Sequence, residues 1–319
     1  MQKVTHSSAR LPIWHKIYQF YLLLCAQFRR VKGAEYAESL FKDIDEYRHL
    51  YLKYTGSPLE TAKIFEIGYG ARPYRLMALI SLGYEASGID LDSPILRFRL
   101  KEFFNIYRRN GIERAVKSAI RYILFDGTDR RRLTAELSKR GRGLQIAESR
   151  FLVGDTADVA LGENSLDVVL SEDVFEHIPV ESLQILTKKM AKAVKPGGLC
   201  LIRPNVFTGI TGSHLVEWYP QNLHNPGIRR KSEPWEHLRK KRYAADTYLN
   251  EMKRSDYRAM FLEDFDILEE RVKLPTLGHE YLAPQIKEEL KDFDDAELFS
   301  NQVMFVLRKK KVIQADPDN

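Results

Sequence analysis

Lys63-Ile64-Phe65-Glu66-Ile67-Gly68-Tyr69-Gly70-Ala71-Arg72-Pro73, followed by an apolar helical run and then Ala86-Ser87-Gly88-Ile89-Asp90, is the stretch that decides how this chain is read. Residues 64–67 are short, largely apolar and β-branched, the character of a buried parallel strand. Gly68 and Gly70 let the backbone turn tightly and approach a ligand with no Cβ in the way. Pro73 suits a first helical turn, where its missing N–H costs nothing. A strand, a glycine turn, a helix, a second strand and an acid, Asp90, about 20 residues on make a nucleotide-binding half-fold. In such a unit the acid accepts from ribose hydroxyls.

The turn also says what kind of ligand fits. A dinucleotide site wants Gly-x-Gly-x-x-Gly, with pyrophosphate at the helix N-terminus, but Pro73 holds the third glycine position. Glu66 at the strand end would repel pyrophosphate. A ligand with a ribose, a positive charge and no phosphate suits the site, and S-adenosylmethionine is such a ligand. Glu66-x-Gly68-x-Gly70 resembles the first motif of class I S-adenosylmethionine-dependent methyltransferases, usually Glu/Asp-x-Gly-x-Gly-x-Gly. Arg72 stands where the last glycine usually does. With no phosphate to meet, Arg72 is expected to point across the cleft and help hold an anionic acceptor.

At 319 residues the chain can bury a full core. Its 44% apolar and 29% charged residues are ordinary for a globular protein. Cys25 and Cys200 have no Cys-x-x-Cys spacing, which argues against a disulfide framework or thiolate metal site and makes a reducing, cytoplasmic setting the default.

The net charge is +6, and its distribution says more than the total. Met1 to Ala34 contains no acid, and its residues 11–28 are helix-length and rich in aromatics. Its uninterrupted apolar part falls short of the roughly 20 residues that span a bilayer. It is expected to pack across the core or a subunit interface, or to lie on an anionic lipid surface as a peripheral contact. A second helix over 35–54 carries Leu40, Phe41, Ile44, Tyr47, Leu50 and Tyr51 on one stripe, suited to lidding the domain that follows.

More than 50 residues separate Asp92 from the next strand, at Arg150-Phe-Leu-Val153, where connections are normally short. The insertion has helical runs over 95–110 and 112–124, then a polar segment to Gly143. Between Arg97 and Arg142, 14 basic residues face five acidic ones, either as solvated helix faces or as a guide for an anionic substrate. Ser165 to Leu170 is an apolar strand running into a helix start at Glu176-His177-Ile-Pro179. A helix over 181–194 closes at Lys195-Pro-Gly-Gly198, and a strand follows at Leu199-Cys-Leu-Ile202. Each strand–helix–strand step implies a parallel sheet with right-handed crossovers. Residues 265–268 and 302–307 read as a terminal antiparallel pair. A second basic insertion, 222–257, reads as a substrate lid or a solvated lobe.

The segment Gly154-Asp-Thr-Ala-Asp158, the strand before Glu176-His177, the Lys195-Pro-Gly-Gly198 turn and the last two strands follow the order of the class I methyltransferase core. That resemblance implies an α/β fold: a doubly wound, mostly parallel seven-stranded sheet with an antiparallel last strand, N-terminal helices and two insertions. It implies an N-terminal helical extension (1–60), a methyltransferase domain (61–310, insertions about 95–148 and 206–260) and a tail (311–319). It assigns Glu66, Gly68, Gly70, Asp90, Asp155, Thr156, Ser171 and Glu172 to the cofactor S-adenosylmethionine, all near carboxyl ends of strands.

Methyl transfer is largely positioning, helped at a hydroxyl acceptor by a base. His214, in the Gly-, Thr- and aromatic-rich loop after the fifth strand, is the expected base; His224 and His237 are weaker rivals. Trp218 and Tyr219 are expected to stack on a sugar ring. Asp173-x-x-Glu176-His177 resembles the Glu-x-x-Glu-His metal motif of some class I O-methyltransferases, although a divalent metal is not the favoured expectation. The resulting expectation is an O-methyltransferase acting on a polar small molecule or a cell-surface glycan precursor.

An RNA ribose methyltransferase and a non-catalytic cofactor-binding module are the alternatives. Methylation of a base amine is disfavoured, because Ser171-Glu-Asp-Val-Phe175 replaces the Asn/Asp-Pro-Pro-Tyr/Phe that such enzymes use.

Overall fold

The computed structural model describes residues 13–32, 35–97, 99–156, 158–242 and 248–310. The expected first helix and second helix are α1 (Ile13–Lys32) and α2 (Glu35–Thr55). Then follow β1 (Lys63–Ile67), α3 (Tyr74–Leu82) and β2 (Glu85–Asp90), the unit read from the glycine stretch.

The first insertion holds α4 (Leu100–Arg121), broken at Gly111 where φ is +84°, a π-helical turn over Tyr122–Asp126, and α5 (Gly127–Lys139). The break separates the two helical runs expected from sequence. The polar segment that runs to Gly143, for which no helix was read, is largely the helix α5. Leu133 and Leu137, one turn apart, bury its inner face.

The sheet resumes with β3 (Phe151–Val153), β4 (Leu166–Glu172), α6 (Val180–Ala193) and β5 (Val194–Arg203). Short helices α7 (Pro220–Leu223) and α8 (Glu236–Lys240) precede α9 (Arg254–Asp264) and β6 (Phe265–Val272). Helices α10 (Pro284–Glu289) and α11 (Asp295–Leu298) lead into β7 (Val303–Lys309).

The seven strands form one sheet in the order β3-β2-β1-β4-β5-β7-β6. Strands β1 to β5 pair in parallel, and β7 runs antiparallel to both β5 and β6. Alternation along each strand divides the core into two layers. Ile64, Val168, Leu199 and Val306 meet α2, α3 and α5 on one face. Phe65, Val169, Cys200 and Leu307 meet α6 and α9 on the other. The stripe on α2 is buried throughout, so this helix is part of the core rather than a lid.

A third cluster, including Ile210, Trp218, Trp235, Leu290 and Phe299, joins the loop after β5 to the segment between β6 and β7. This lobe stands beside the carboxyl edge of β5. Helix α1 docks on it by one face: Tyr18 donates to the Arg229 carbonyl (2.6 Å), and Gln19 accepts from the Val216 N–H (2.8 Å). Its other face, with Trp14, Ile17, Phe20 and Tyr21, is exposed, Trp14 by 74%. Among the described residues, no helix is long and apolar enough to cross a membrane.

Candidate active site

The strand order reverses between β1 and β4, and there the carboxyl ends of the strands open a cleft of about 470 Å³. Ligands of open α/β sheets bind at such a switch point. The glycine turn forms one wall. Gly68 has φ of +75°, its N–H donates to the Ile89 carbonyl (2.8 Å), and a Cβ there would lie 2.2 Å from a Val174 methyl. Gly70 has φ of +71° and donates its N–H to Asp90 Oδ2 (2.7 Å), while Asp90 Oδ1 accepts from the Asp92 N–H (2.7 Å). The carboxylate of Asp90 thus closes the turn and lines the cleft. Burial pushes its pKa up to about 6 against those two N–H donors.

Glu66, next to last in β1, is buried beside the turn, and its Oε1 accepts from Arg75 Nε (2.9 Å) and Nη2 (2.6 Å). Arg75 also pairs with Glu172 at the end of β4. Glu172 in turn pairs with Arg203, which reaches Asp43 of α2 (3.0 Å). Burial raises the carboxyl pKa of Glu172, whereas the paired acids hold Arg203 charged. The cleft is therefore lined by a braced row of charges. Glu66, Asp90, Asp92, Glu172 and Asp173 outnumber Arg72 and Arg75. An excess of five acids to two cations suits a cationic ligand and disfavours pyrophosphate.

Of the expected cofactor residues, Glu66, Gly68, Gly70, Asp90, Thr156 and Glu172 line this cleft. Two do not. Ser171 is buried and donates to the Ile67 carbonyl (2.9 Å), tying β4 to β1. Asp155 is exposed in the turn after β3 and lies outside the lining. Arg72 does not reach across toward an acceptor. Its guanidinium pairs with Asp126 (3.0 Å) and Asp129 (3.6 Å), both buried, and so pins the turn to the insertion.

A second chamber of about 430 Å³ adjoins the first, and Asp173 and His177 line both. Asn205, Thr211, His214, Tyr219, Gln221, Asn301 and Gln302 complete its polar lining. His214 sits here in a left-handed conformation (φ +55°). Its Nε2 is 3.9 Å from Glu176 Oε1, and its ring meets that of His177 edge-on at 4.9 Å. Burial pushes its pKa down to about 3, so the imidazole is neutral.

The rivals lie elsewhere. His237 is buried with Nε2 2.8 Å from the Phe207 carbonyl, and exposed His224 pairs with Glu280 (3.7 Å). Trp218, expected on a sugar ring, is instead 2% exposed in the lobe core, donating to Ser232 Oγ (2.8 Å) and meeting Tyr281 edge-on. Only Tyr219 of that pair reaches the chamber. Several second-insertion cations are also engaged: Arg239 pairs with Glu233 (2.9 Å) and Glu289 (2.6 Å), and Arg230 covers Trp218.

Arg75, Asn301 and Gln302 are among the site residues that sequence reading missed. Arg75 follows the turn by a few residues, where only its one-turn reach back to the strand-end acid could have signalled it. A larger groove of about 910 Å³ lies at the opposite sheet end, around Asp167, Lys195 and Arg308. It faces the amino ends of β4 and β5, away from the Gly68–Gly70 turn.

Residues 110–202 match the family model described as a methyltransferase domain. The fold is that of the class I methyltransferases. The matched range includes β3, β4 and β5 and leaves the glycine turn outside it. An uncharacterized methyltransferase of Mycobacteroides abscessus is 33% identical over 73 residues, 23% of this chain. The match spans about a quarter (27%) of that relative's length.

Two of the similar solved structures serve as examples. A Pyrococcus horikoshii protein has 13% identity and a TM-score of 0.43 over 88% of this chain and 93% of its own. An S-adenosylmethionine-dependent methyltransferase from Mesorhizobium loti has 13% identity and a TM-score of 0.40 over 78% and 92%. At those scores they add nothing to the topology already described.

Proposed function

We propose that this protein is an S-adenosylmethionine-dependent methyltransferase acting on a hydroxyl of a polar small molecule or a cell-surface glycan precursor. The observation that carries the reading is the pair of adjoining chambers: an acid-rich cleft at the glycine turn and a polar pocket sharing Asp173 and His177 with it. The residues present fit the cofactor. Asp90 offers carboxylate oxygens to ribose hydroxyls, Thr156 lies on the adenine side, and the surplus of acids favours a sulfonium. S-adenosylmethionine supplies an electrophilic methyl group when bound.

The second chamber is of a size usual for small-ligand pockets. Its amides and hydroxyls suit an acceptor with several hydroxyls better than a flat apolar one. Transfer forms an O–C bond as the S–C bond breaks, and the acceptor's hydroxyl proton must leave. His214 presents a neutral Nε2 to receive it, with the Glu176 carboxyl group 3.9 Å away.

Incubation with methyl-labelled cofactor and a fractionated cell extract is the test. Label is expected in saccharides or other small molecules; label found only in protein or RNA overturns the reading. His214→Ala is expected to keep cofactor binding and lose turnover, and undiminished turnover removes His214 from the mechanism.

We infer further that the free face of α1 meets an anionic lipid surface. The aromatics Trp14, Phe20 and Tyr21 are exposed there, in a segment with no acidic residue through Ala34. Trp14→Asp should abolish co-sedimentation with anionic vesicles. Failure of the wild type to sediment, or sedimentation with neutral vesicles as well, is the contrary result.

A further inference from the structure

We propose that Glu176, His177 and His214 form a divalent-cation site on the wall between the two chambers. One ligand atom from each residue lies within 4.8 Å of the other two. Bonds of about 2.1 Å to a shared ion place ligand atoms about 3 Å apart, so small side-chain rotations close the set. Two segments far apart in sequence supply it: a 3-10 turn after β4 (Phe175–His177) and the loop after β5. The sheet alone brings them together.

Two unsatisfied polar groups make this a built site rather than a chance cluster. Glu176 is 3% exposed, and neither carboxylate oxygen has a hydrogen-bond partner. The backbone N–H groups of Glu176 and Asn205 face the carboxylate, too loosely for either oxygen to be satisfied. His214 Nε2 is likewise buried and unpartnered. A carboxylate and an imidazole lone pair left bare in the interior cost several kcal/mol unless something meets them. A cation between them meets both.

His177 adds the usual outer support of a metal-binding imidazole. Its Nδ1 lies 3.0 Å from the Tyr248 carbonyl, so the proton belongs on Nδ1 and the lone pair on Nε2. Asp173, the acid expected from sequence to begin the ligand set, stands outside it. It is exposed and its Oδ1 accepts from Gln302 Nε2 (2.8 Å).

Two imidazoles and one carboxylate select a borderline divalent ion such as Mn²⁺, Co²⁺, Fe²⁺ or Zn²⁺ over Mg²⁺ or Ca²⁺. Three protein ligands leave coordination positions open, and His177 and His214 line the acceptor chamber. If the proposed methyl transfer holds, an acceptor oxygen coordinates there and loses its proton more readily. With the ion bound, His214 Nε2 is taken up by the metal, and the proton it would receive in the metal-free chamber passes instead to the carboxylate of Asp173, which lines the same chamber.

The test uses the full chain, treated with a chelator and titrated with Mn²⁺ by electron paramagnetic resonance and with Zn²⁺ by calorimetry. One ion per chain is expected. Glu176→Gln and His214→Ala, each checked for native circular dichroism, are expected to weaken binding by more than tenfold, while His224→Ala leaves it unchanged. Absence of stoichiometric binding by the wild type overturns the site, as does equal binding by a folded Glu176→Gln or His214→Ala variant. Binding of the ion is read without any methyl acceptor. A protein that binds Mn²⁺ but transfers no methyl group therefore refutes the activity and leaves the site standing.

Discussion

Gly68 is a position where the backbone and its surroundings both call for glycine. Its left-handed φ and its closeness to Val174 each exclude a side chain. Gly68→Ala should cost about 1–3 kcal/mol in stability and displace the Val174 side chain. Chemical denaturation reads the first effect, and cofactor titration should show weakened binding.

Asp90 gives a pH signature. Its folded pKa of about 6 stands above the ordinary 3.8, so protonation favours the folded, cofactor-free protein. That stability is fully present below about 3.8 and is lost as pH rises through about 6. Cofactor affinity should move the other way, rising as the carboxylate ionises to accept from ribose hydroxyls. Asp90→Asn flattens both trends; melting and binding measured from pH 4.5 to 7.5 check them. Both residues were legible because a tight turn and a strand-end acid are local requirements. Ser171 was not: spacing put it at a strand end, but whether its hydroxyl meets a ligand or the Ile67 carbonyl depends on the neighbouring strand.

At the level of elements, the glycine turn and the first insertion are held together through Arg72. Removing Arg72 leaves Asp126 and Asp129 buried beside each other without that cation. Arg72→Ala should destabilise the protein by about 3–5 kcal/mol, the range for breaking a buried ion pair. The additional changes Asp126→Asn and Asp129→Asn should recover part of the loss in a melting experiment. An effect confined to the acceptor's KM, with stability unchanged, would contradict this.

The insertion's basic sequence suggested either a substrate guide or a solvated surface, and its pairings favour the latter. Lys139 and Arg140 meet Glu136, and Arg97 and Arg99 meet Glu148. Helix α5 went unread because a mostly polar stretch buries only a narrow stripe, and Leu133 and Leu137 by themselves make a faint period.

The whole molecule places two polar chambers side by side at the carboxyl edge of one sheet. A ligand that binds only the folded state at 100 times its Kd adds about 2.7 kcal/mol to stability. S-adenosylmethionine at that excess should raise the melting temperature by several degrees, and a nicotinamide dinucleotide should leave it unmoved. Scanning fluorimetry distinguishes them, and the reverse order would return the turn to the dinucleotide class.

By itself the sequence determined the α/β plan, the glycine turn, the acid at Asp90 and the antiparallel ending. Each of these rests on spacing within a few turns of chain, where backbone geometry and side-chain period leave few choices. Tertiary structure decided what lay at a distance. It turned Arg72 away from the acceptor and onto two buried acids, buried Trp218 in the lobe, and set His214 beside Glu176 and His177. Those outcomes turn on which charges and apolar surfaces meet when separate segments fold onto one sheet edge. The desolvation of a buried carboxylate or ring is settled by its neighbours in space, and local sequence does not name them.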